Sequence, residues 1–154
     1  MKAGGVAYVK ENPKAFLEID EVIRIILDAG GIPCYPVLLD NKEGVITDFE
    51  ADYEKLHKRL TDLNVYAVEL IPGRNDHEVL TRFVRYFDEM GFVVTFGTEH
   101  NTPALEPLTV TTRGGKPLGG YLEEVSYRGA CVIAAHQYLR AQKERGYLDD
   151  RGVP

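Results

Sequence analysis

The chain repeats one unit three times, an amphipathic helix followed directly by a short apolar strand. The units are residues 16–39, 47–71 and 75–97. Each helix carries apolar residues at helical spacing, and each strand is continuously apolar and does not alternate. Such strands are typical of a parallel sheet that is buried on both faces. The pattern therefore predicts an α/β fold of parallel helix–strand repeats, either a doubly wound sheet or part of a (β/α) barrel.

Residues that are typical of helix ends support these boundaries. The pair Gly30–Gly31 has the form of a helix C-terminal stop before the first strand. Thr47 and Glu50 have the spacing of a capping box, and Asn75 with Glu78 repeats that spacing before the third helix. We therefore expect tight turns between each helix and the strand that follows it.

The pattern changes after the third unit. Residues 109–120 are glycine-rich and predict a flexible loop, and residues 121–146 predict one long helix. The last residues, "YLDDRGVP", are expected to be a frayed tail. No linker divides the chain, so residues 1–154 are predicted to be a single domain, or the C-terminal fragment of a larger barrel.

Composition narrows the class of protein. A hydrophobic fraction of 44% and a charged fraction of 27% are those of a globular domain. The net charge of −6 is spread over the helices, which argues against nucleic acid as a partner and leaves a small anionic substrate open. No apolar run approaches the length of a membrane span, and no signal segment is present, so we expect no membrane partner and a cytoplasmic location.

The two cysteines, Cys34 and Cys131, are not part of a CxxC pair and lie in apolar surroundings. We interpret them as buried free thiols, in preference to a disulfide or a nucleophile.

Polar side chains follow all three predicted strands. Because the carboxyl ends of parallel strands meet at one edge of the sheet, these side chains are expected at one rim. They are Tyr35, Asp40, Glu69, Arg74, Asn75, Glu99, His100 and Asn101. A rim with carboxylates, an imidazole and a guanidinium is a candidate polar site.

Glu69, Glu99 and His100 are the candidate metal ligands, and Glu69 and His100 are also the candidate catalytic residues. Carboxylate and imidazole ligands suit a divalent ion such as Zn, Mn or Fe, which would activate water. For Glu99 and His100 the alternative is a loop whose carboxylate caps a backbone N–H. For Glu69, a general base or a salt bridge with Arg74 are the alternatives.

Arg74, Asn75, Tyr35 and Asn101 are the candidate substrate-binding residues. Arg74 offers a bidentate partner for a phosphate or carboxylate. Asn75 also has the features of a helix N-cap, and Tyr35 those of a half-buried aromatic residue. His136, on the predicted long helix, is interpreted as a satisfied packing histidine or, less strongly, as a ligand.

Three stretches resemble the C-terminal part of the PHP (polymerase and histidinol phosphatase) domains. They are "VIRIILDAGGIPCYP", "VYAVELIPGRN" and "GFVVTFGTEHNTP", which together span about residues 16–107. The resemblance implies a metal-dependent phosphoesterase built on a distorted seven-stranded (β/α) barrel. It also implies that Glu69 and the "GTEHN" strand end contribute to a metal site.

The chain departs from that pattern in its ligands. It has no opening His-x-His motif, and Tyr35 stands where a ligand histidine usually precedes the proline. Glu99 stands in place of an aspartate, and Asn101 in place of a histidine. The resemblance therefore implies that a trinuclear site cannot be completed by this chain alone, which is either part of a longer enzyme or a degenerate, non-catalytic barrel domain.

Three helix–strand units cannot close a barrel, and both outer strands would keep open edges. We therefore expect a homodimer, exchanged elements, a partner that supplies the N-terminal half of the barrel, or an open sheet to which "GGVAYVK" adds a strand. A Rossmann-like or flavodoxin-like domain is a weaker alternative, because no GxGxxG follows a first strand.

Overall fold

The computed structural model describes residues 5–6, 8–98 and 107–154. Short 3₁₀ turns cover Pro13–Ala15 and Pro72–Arg74. The helices are α1 (Ile19–Asp28), α2 (Asp48–Ala51), α3 (Tyr53–Asp62), α4 (His77–Glu89) and α5 (Gly120–Ala141). The strands are β1 (Cys34–Val37), β2 (Ala67–Leu70), β3 (Val93–Phe96), β4 (Thr111–Thr112) and β5 (Lys116–Pro117).

The first three strands form one parallel sheet in the order β1-β2-β3. This confirms the predicted α/β fold and the parallel helix–strand repeats. Within the described residues the sheet is open, and those of the "GGVAYVK" segment that the structure describes form no strand. The predicted additional strand is therefore not present in residues 5–6 and 8–10.

One face of the sheet is closed by α3 and α4. Val68 and Leu70 of β2 are completely buried on this face, since alternate residues of a strand point to the same side. The helices contribute a dense apolar layer, in which Phe83 and Phe87 stack with ring centroids 4.4 Å apart. The main helical members of this layer are Leu56, Leu60, Leu80, Phe83, Val84 and Phe87. Removing this much apolar surface from water is the main stabilising contribution to such a core.

The opposite face is covered by α5, and mainly at β3. At Gly129 the helix comes so close to the strand that an added Cβ would lie 2.0 Å from the Val94 carbonyl oxygen and 3.2 Å from Thr95 Cγ2. Only a glycine fits at this crossing. Cys34, Pro36 and Glu69 remain exposed beside the helix.

The helix caps differ from those that the sequence predicts. Thr47 makes no side-chain cap bond, and the Glu50 carboxylate instead accepts from the backbone N–H groups of Leu38 and Leu39, just after β1. Asp76, and not Asn75, caps α4 by accepting from the backbone N–H groups of Glu78 and Val79. In both places a tertiary hydrogen bond takes the side chain that local spacing assigned to a cap.

The C-terminal third also differs in detail. The segment predicted to be a flexible loop contains the β4–β5 hairpin, and α5 ends at Ala141, five residues before the predicted boundary. The predicted frayed tail is wrong, because Leu148 is buried and Gly152 lies against Leu27 and Asn64. Among the described residues, no helix is both long enough and apolar enough to cross a bilayer.

We predict that Gly129→Ala lowers the free energy of unfolding by at least about 2 kcal/mol, because the new methyl group meets backbone atoms that cannot move aside. Urea unfolding followed by circular dichroism measures the change. Gly120→Ala is the matched control on the same helix, since no atom lies within 4 Å of its Cβ position. Equal stabilities of the two variants would contradict the close crossing of α5 and β3.

Candidate functional site at the carboxyl rim of the sheet

Glu69 is the carboxylate at the carboxyl end of the central strand. It pairs in register with Pro36 and Thr95. It lies on the sheet face that α5 covers at β3, in the part of that face that the helix leaves exposed. Its side chain is exposed and makes no hydrogen bond or ion pair with any other described residue. The alternative of a salt bridge between Glu69 and Arg74 is therefore not found. A hydrated carboxylate in this position can accept a proton or bind a cation.

Gly97 provides the space for this carboxylate. A Cβ added at Gly97 would lie 3.0 Å from Oε1 of Glu69, and the Gly97 backbone N–H donates to the Leu70 carbonyl at 2.9 Å. The backbone of the β3 strand end is therefore held directly beside the Glu69 carboxylate. A side chain at residue 97 would require the exposed Glu69 side chain to shift slightly.

Three of the predicted site residues, Glu99, His100 and Asn101, lie outside the described residues. In the part of the chain that the structure describes, no group of three or more His, Cys, Asp or Glu side chains could hold a metal ion. Glu69 is therefore the one predicted metal ligand whose position the structure gives.

Cys34 lies on the same sheet face as Glu69, two residues before Pro36. The prediction that both cysteines are buried is wrong, because Cys34 and Cys131 are exposed. Cys34 stands in a groove between β1 and α5 whose walls still desolvate the thiol. This desolvation, with a further contribution from the negative charge of Glu69, raises the pKa of Cys34 to about 12.

Tyr35 lies on the other face of the sheet from Glu69, because neighbouring residues of a strand point to opposite sides. Its hydroxyl donates to Oε1 of Glu50 at 3.1 Å, and its ring contacts Phe49. Burial and the charge of Glu50 raise the pKa of Tyr35 above its ordinary value. The structure does not bring Tyr35 to Glu69.

Asn75 and Asp40 are buried in a polar network between the loops that follow β1 and β2. The Asn75 amide nitrogen donates to the carbonyls of Leu38 at 2.8 Å and Asp40 at 3.3 Å, which ties the two loops together. Asp40 accepts from the Asp76 backbone N–H and pairs with Arg113 at 2.5 Å. The Asn75 amide oxygen is buried without a partner among the described residues.

Arg74 ends the 3₁₀ turn after β2 and is exposed at the rim. Its side chain lines two neighbouring clefts, one shared with Arg113 and one shared with Gly97 and Thr98. Of the predicted substrate-binding residues that the structure describes, Arg74 is the one that is exposed at the rim near the end of β3.

His136 is fully employed in packing, as its predicted structural interpretation requires. Its Nδ1 accepts from the Tyr147 backbone N–H at 3.0 Å, so its Nε2 carries the proton and donates to the Gly30 carbonyl at 3.0 Å. Gly146 makes this possible, because an added Cβ there would lie 2.4 Å from Nδ1. His136 thus joins α5 to the α1–β1 turn and to the C-terminal tail.

Glu50 and Arg113 are two residues of this rim that the sequence did not reveal. Glu50 is buried and accepts from the backbone N–H groups of Leu38 and Leu39 at 3.0 and 2.7 Å. Arg113 contacts the chain more than 70 residues before it. Local spacing carries no signal for contacts of either kind.

Comparisons with protein-family models, with curated proteins and with solved structures gave no match to this chain. The rim therefore has to be interpreted from its own geometry and chemistry.

We predict that Cys34 reacts slowly with iodoacetamide at pH 8, because the thiolate is the nucleophile and the raised pKa keeps the thiol protonated. Glu69→Gln removes the neighbouring charge, which lowers the Cys34 pKa and accelerates its alkylation. Peptide mass spectrometry separates Cys34 from Cys131, the exposed internal control on α5. Unchanged Cys34 alkylation in Glu69→Gln would contradict the proximity of the two side chains.

Proposed function

We propose that the chain is a metal-dependent hydrolase of PHP type, or the C-terminal part of one, that acts on a small phosphoester or a related anionic substrate. The observation that carries this proposal is the Glu69 carboxylate. It lies unpaired among the described residues, on the part of the sheet face that α5 leaves uncovered, beside the backbone of Gly97.

The chemistry of the donor set fits a divalent ion. Glu69 would be one ligand, and Glu99 and His100, which follow Gly97 by two and three residues, would be the others. Because two residues span at most about 7 Å, the Cα of Glu99 lies no farther than that from the Cα of Gly97. Two carboxylates and an imidazole suit Zn, Mn or Fe.

A divalent ion bound there would supply Lewis acidity toward the ester and would lower the pKa of water. The residues of the chain have separate tasks. Glu69 would hold the ion on this uncovered part of the sheet face and help to accept a proton, while Arg74 would bind the anionic group of the substrate at the rim. We assign no substrate contact to Tyr35 or Asn75, which are committed to Glu50 and to the loop carbonyls.

A non-catalytic, degenerate barrel domain that binds a small ligand or a partner chain is the second candidate. It is favoured by the position of Tyr35, which stands where the resemblance expects a ligand histidine and lies on the opposite face from Glu69. This function needs the fold and the rim but no metal.

Metal analysis separates the two candidates. We predict that protein purified without chelator or metal-affinity resin contains close to one Zn, Mn or Fe per chain by inductively coupled plasma mass spectrometry. Glu69→Gln and Glu99→Gln should each lose most of it, because an amide is a much poorer ligand than a carboxylate.

Glu89→Gln is the matched control, since this exposed glutamate at the end of α4 lies away from the carboxyl rim. Metal content that is the same in all variants would disprove Glu69 as a ligand. Protein without metal, also after incubation with each ion, would disprove the metal-dependent hydrolase and favour the degenerate domain.

We further propose that the sheet is part of a (β/α) barrel and that a second chain completes it, either another copy or an N-terminal-half partner. In such a barrel the helices lie outside, as α3 and α4 do, and the face with Glu69 would line the interior. Because α5 packs on β3 from that face, closing the barrel would require α5 to leave it. The outward side of α1 supports a partner, because Ile19 and Ile25 are 53% and 49% exposed.

Sedimentation analysis tests whether the second chain is another copy of this one. We predict a mass above the monomer value of 17.3 kDa, and a return to that value in the double variant Ile19→Lys/Ile25→Lys. The same measurement on Tyr138→Lys, an exposed position on α5, is the control for a nonspecific effect of added charge. A monomer at every concentration would contradict the homodimer and leave the N-terminal-half partner.

A further inference from the structure

A cleft of about 470 Å³ opens between the loop that follows β1 and the β4–β5 hairpin. Its walls combine two exposed apolar side chains, Leu38 and Val45, with three basic ones, Lys42, Arg74 and Arg113. Most ligand sites in proteins share this mixture of an apolar wall with a few convergent polar groups.

The apolar wall is held in place by a strained turn. Leu39 has a φ of 52°, a left-handed conformation that costs a leucine about 1–3 kcal/mol. The buried Glu50 carboxylate offsets this cost by accepting from the backbone N–H groups of Leu38 and Leu39 at 3.0 and 2.7 Å. As a result Leu39 is buried, and Leu38 is 52% exposed at the cleft.

Arg113 is held equally firmly on the other side. Its Nη1 donates to the carbonyls of Asn41 at 2.6 Å and Arg74 at 3.0 Å, and its Nη2 to Asp40 at 2.5 Å. These bonds occupy three of its five N–H groups, and the side chain is still 30% exposed. The guanidinium is therefore fixed in direction, with donors remaining beyond those bonds.

Lys42 and Arg113 give this cleft two cations against the one carboxylate of Asp40, although the chain carries −6. Asp40 is the one carboxylate among the described residues that line it, and it is buried under Arg113 and the Asp76 N–H. Lys42 is exposed and pairs with no described residue. Lys42 is therefore an exposed cation beside the remaining donors of Arg113, and an anion would be attracted to this wall.

We propose that this cleft binds a small organic anion, a carboxylate or phosphate group attached to an apolar body. The anionic group would lie between Lys42 and Arg113, and the apolar body against Leu38 and Val45. This inference goes beyond the proposed function, since binding in the cleft uses neither Glu69 nor a metal. Because Gly73 and Arg74 also line the neighbouring cleft that reaches Gly97, a bound anion would lie on the same rim as Glu69.

The test is a ¹H–¹⁵N NMR titration of the full chain in EDTA, with benzoate, phenyl phosphate, inorganic phosphate and benzyl alcohol as probes. We expect benzoate and phenyl phosphate to shift the amides of residues 38–47, 74 and 113 with saturation. Inorganic phosphate should bind more weakly, because it lacks the apolar body, and benzyl alcohol should not saturate. Higher salt should weaken the binding of both aromatic anions, because it screens their attraction to the basic side chains.

Two variants at exposed positions, which should leave the fold intact, locate the site. Lys42→Gln should lower the affinity for both aromatic anions about three-fold. Lys58→Gln, which changes an exposed lysine on α3, should leave that affinity unchanged. Val45→Ser should lower the affinity for the aromatic anions but leave the affinity for inorganic phosphate unchanged.

Three results would overturn the proposal. They are shifts that never saturate or that fall elsewhere on the surface, equal affinities of Lys42→Gln and Lys58→Gln, and benzyl alcohol binding as well as benzoate. None of these results depends on metal content, so failure of this site and failure of the proposed hydrolase are distinguishable.

Discussion

The close crossing of α5 and β3 at Gly129 determines how the rest of the sheet is covered. Without a Cβ at residue 129, the helix backbone lies directly on the Val94 carbonyl. Seven residues later, about 10 Å along the same side of the helix, His136 reaches the Gly30 carbonyl and the Tyr147 N–H. One glycine thus sets the distance between α5 and the sheet, and with it the position at which α5 contacts the α1–β1 turn and the C-terminal tail. Because α5 is held over β3, it leaves Pro36 and Glu69 uncovered.

Much of the fold could be predicted from the sequence because the signals for it are local. Helical apolar stripes, continuously apolar strands and glycine stops report on neighbours within one or two turns, and they identified the three repeats and the parallel sheet. The C-terminal tail could not be predicted in this way. Its order comes from Leu148 and Gly152, which pack against parts of the chain that are distant in sequence.

The candidate site shows the same division. The rule that function lies at the carboxyl ends of parallel strands placed Glu69 and Arg74 at the rim, but it does not distinguish the two faces of a strand. Tyr35 follows the same rule and yet points to the other side. Glu50 has capping-box spacing with Thr47, but its carboxylate accepts instead from the backbone N–H groups of Leu38 and Leu39 in a strained turn, which local spacing does not reveal.

The carboxylates of this rim are of two kinds, buried and hydrogen-bonded or exposed. Glu50 and Asp40 are buried. Glu50 accepts from three donors and Asp40 from two, so their charge is used to hold the loops after β1 and β2. Glu69 is at the same rim and has no such contact with a described residue. A protein gains little stability from an exposed carboxylate that pairs with no described residue. Stability therefore explains Glu50 and Asp40 but not Glu69, and this difference is the reason to look for function at Glu69.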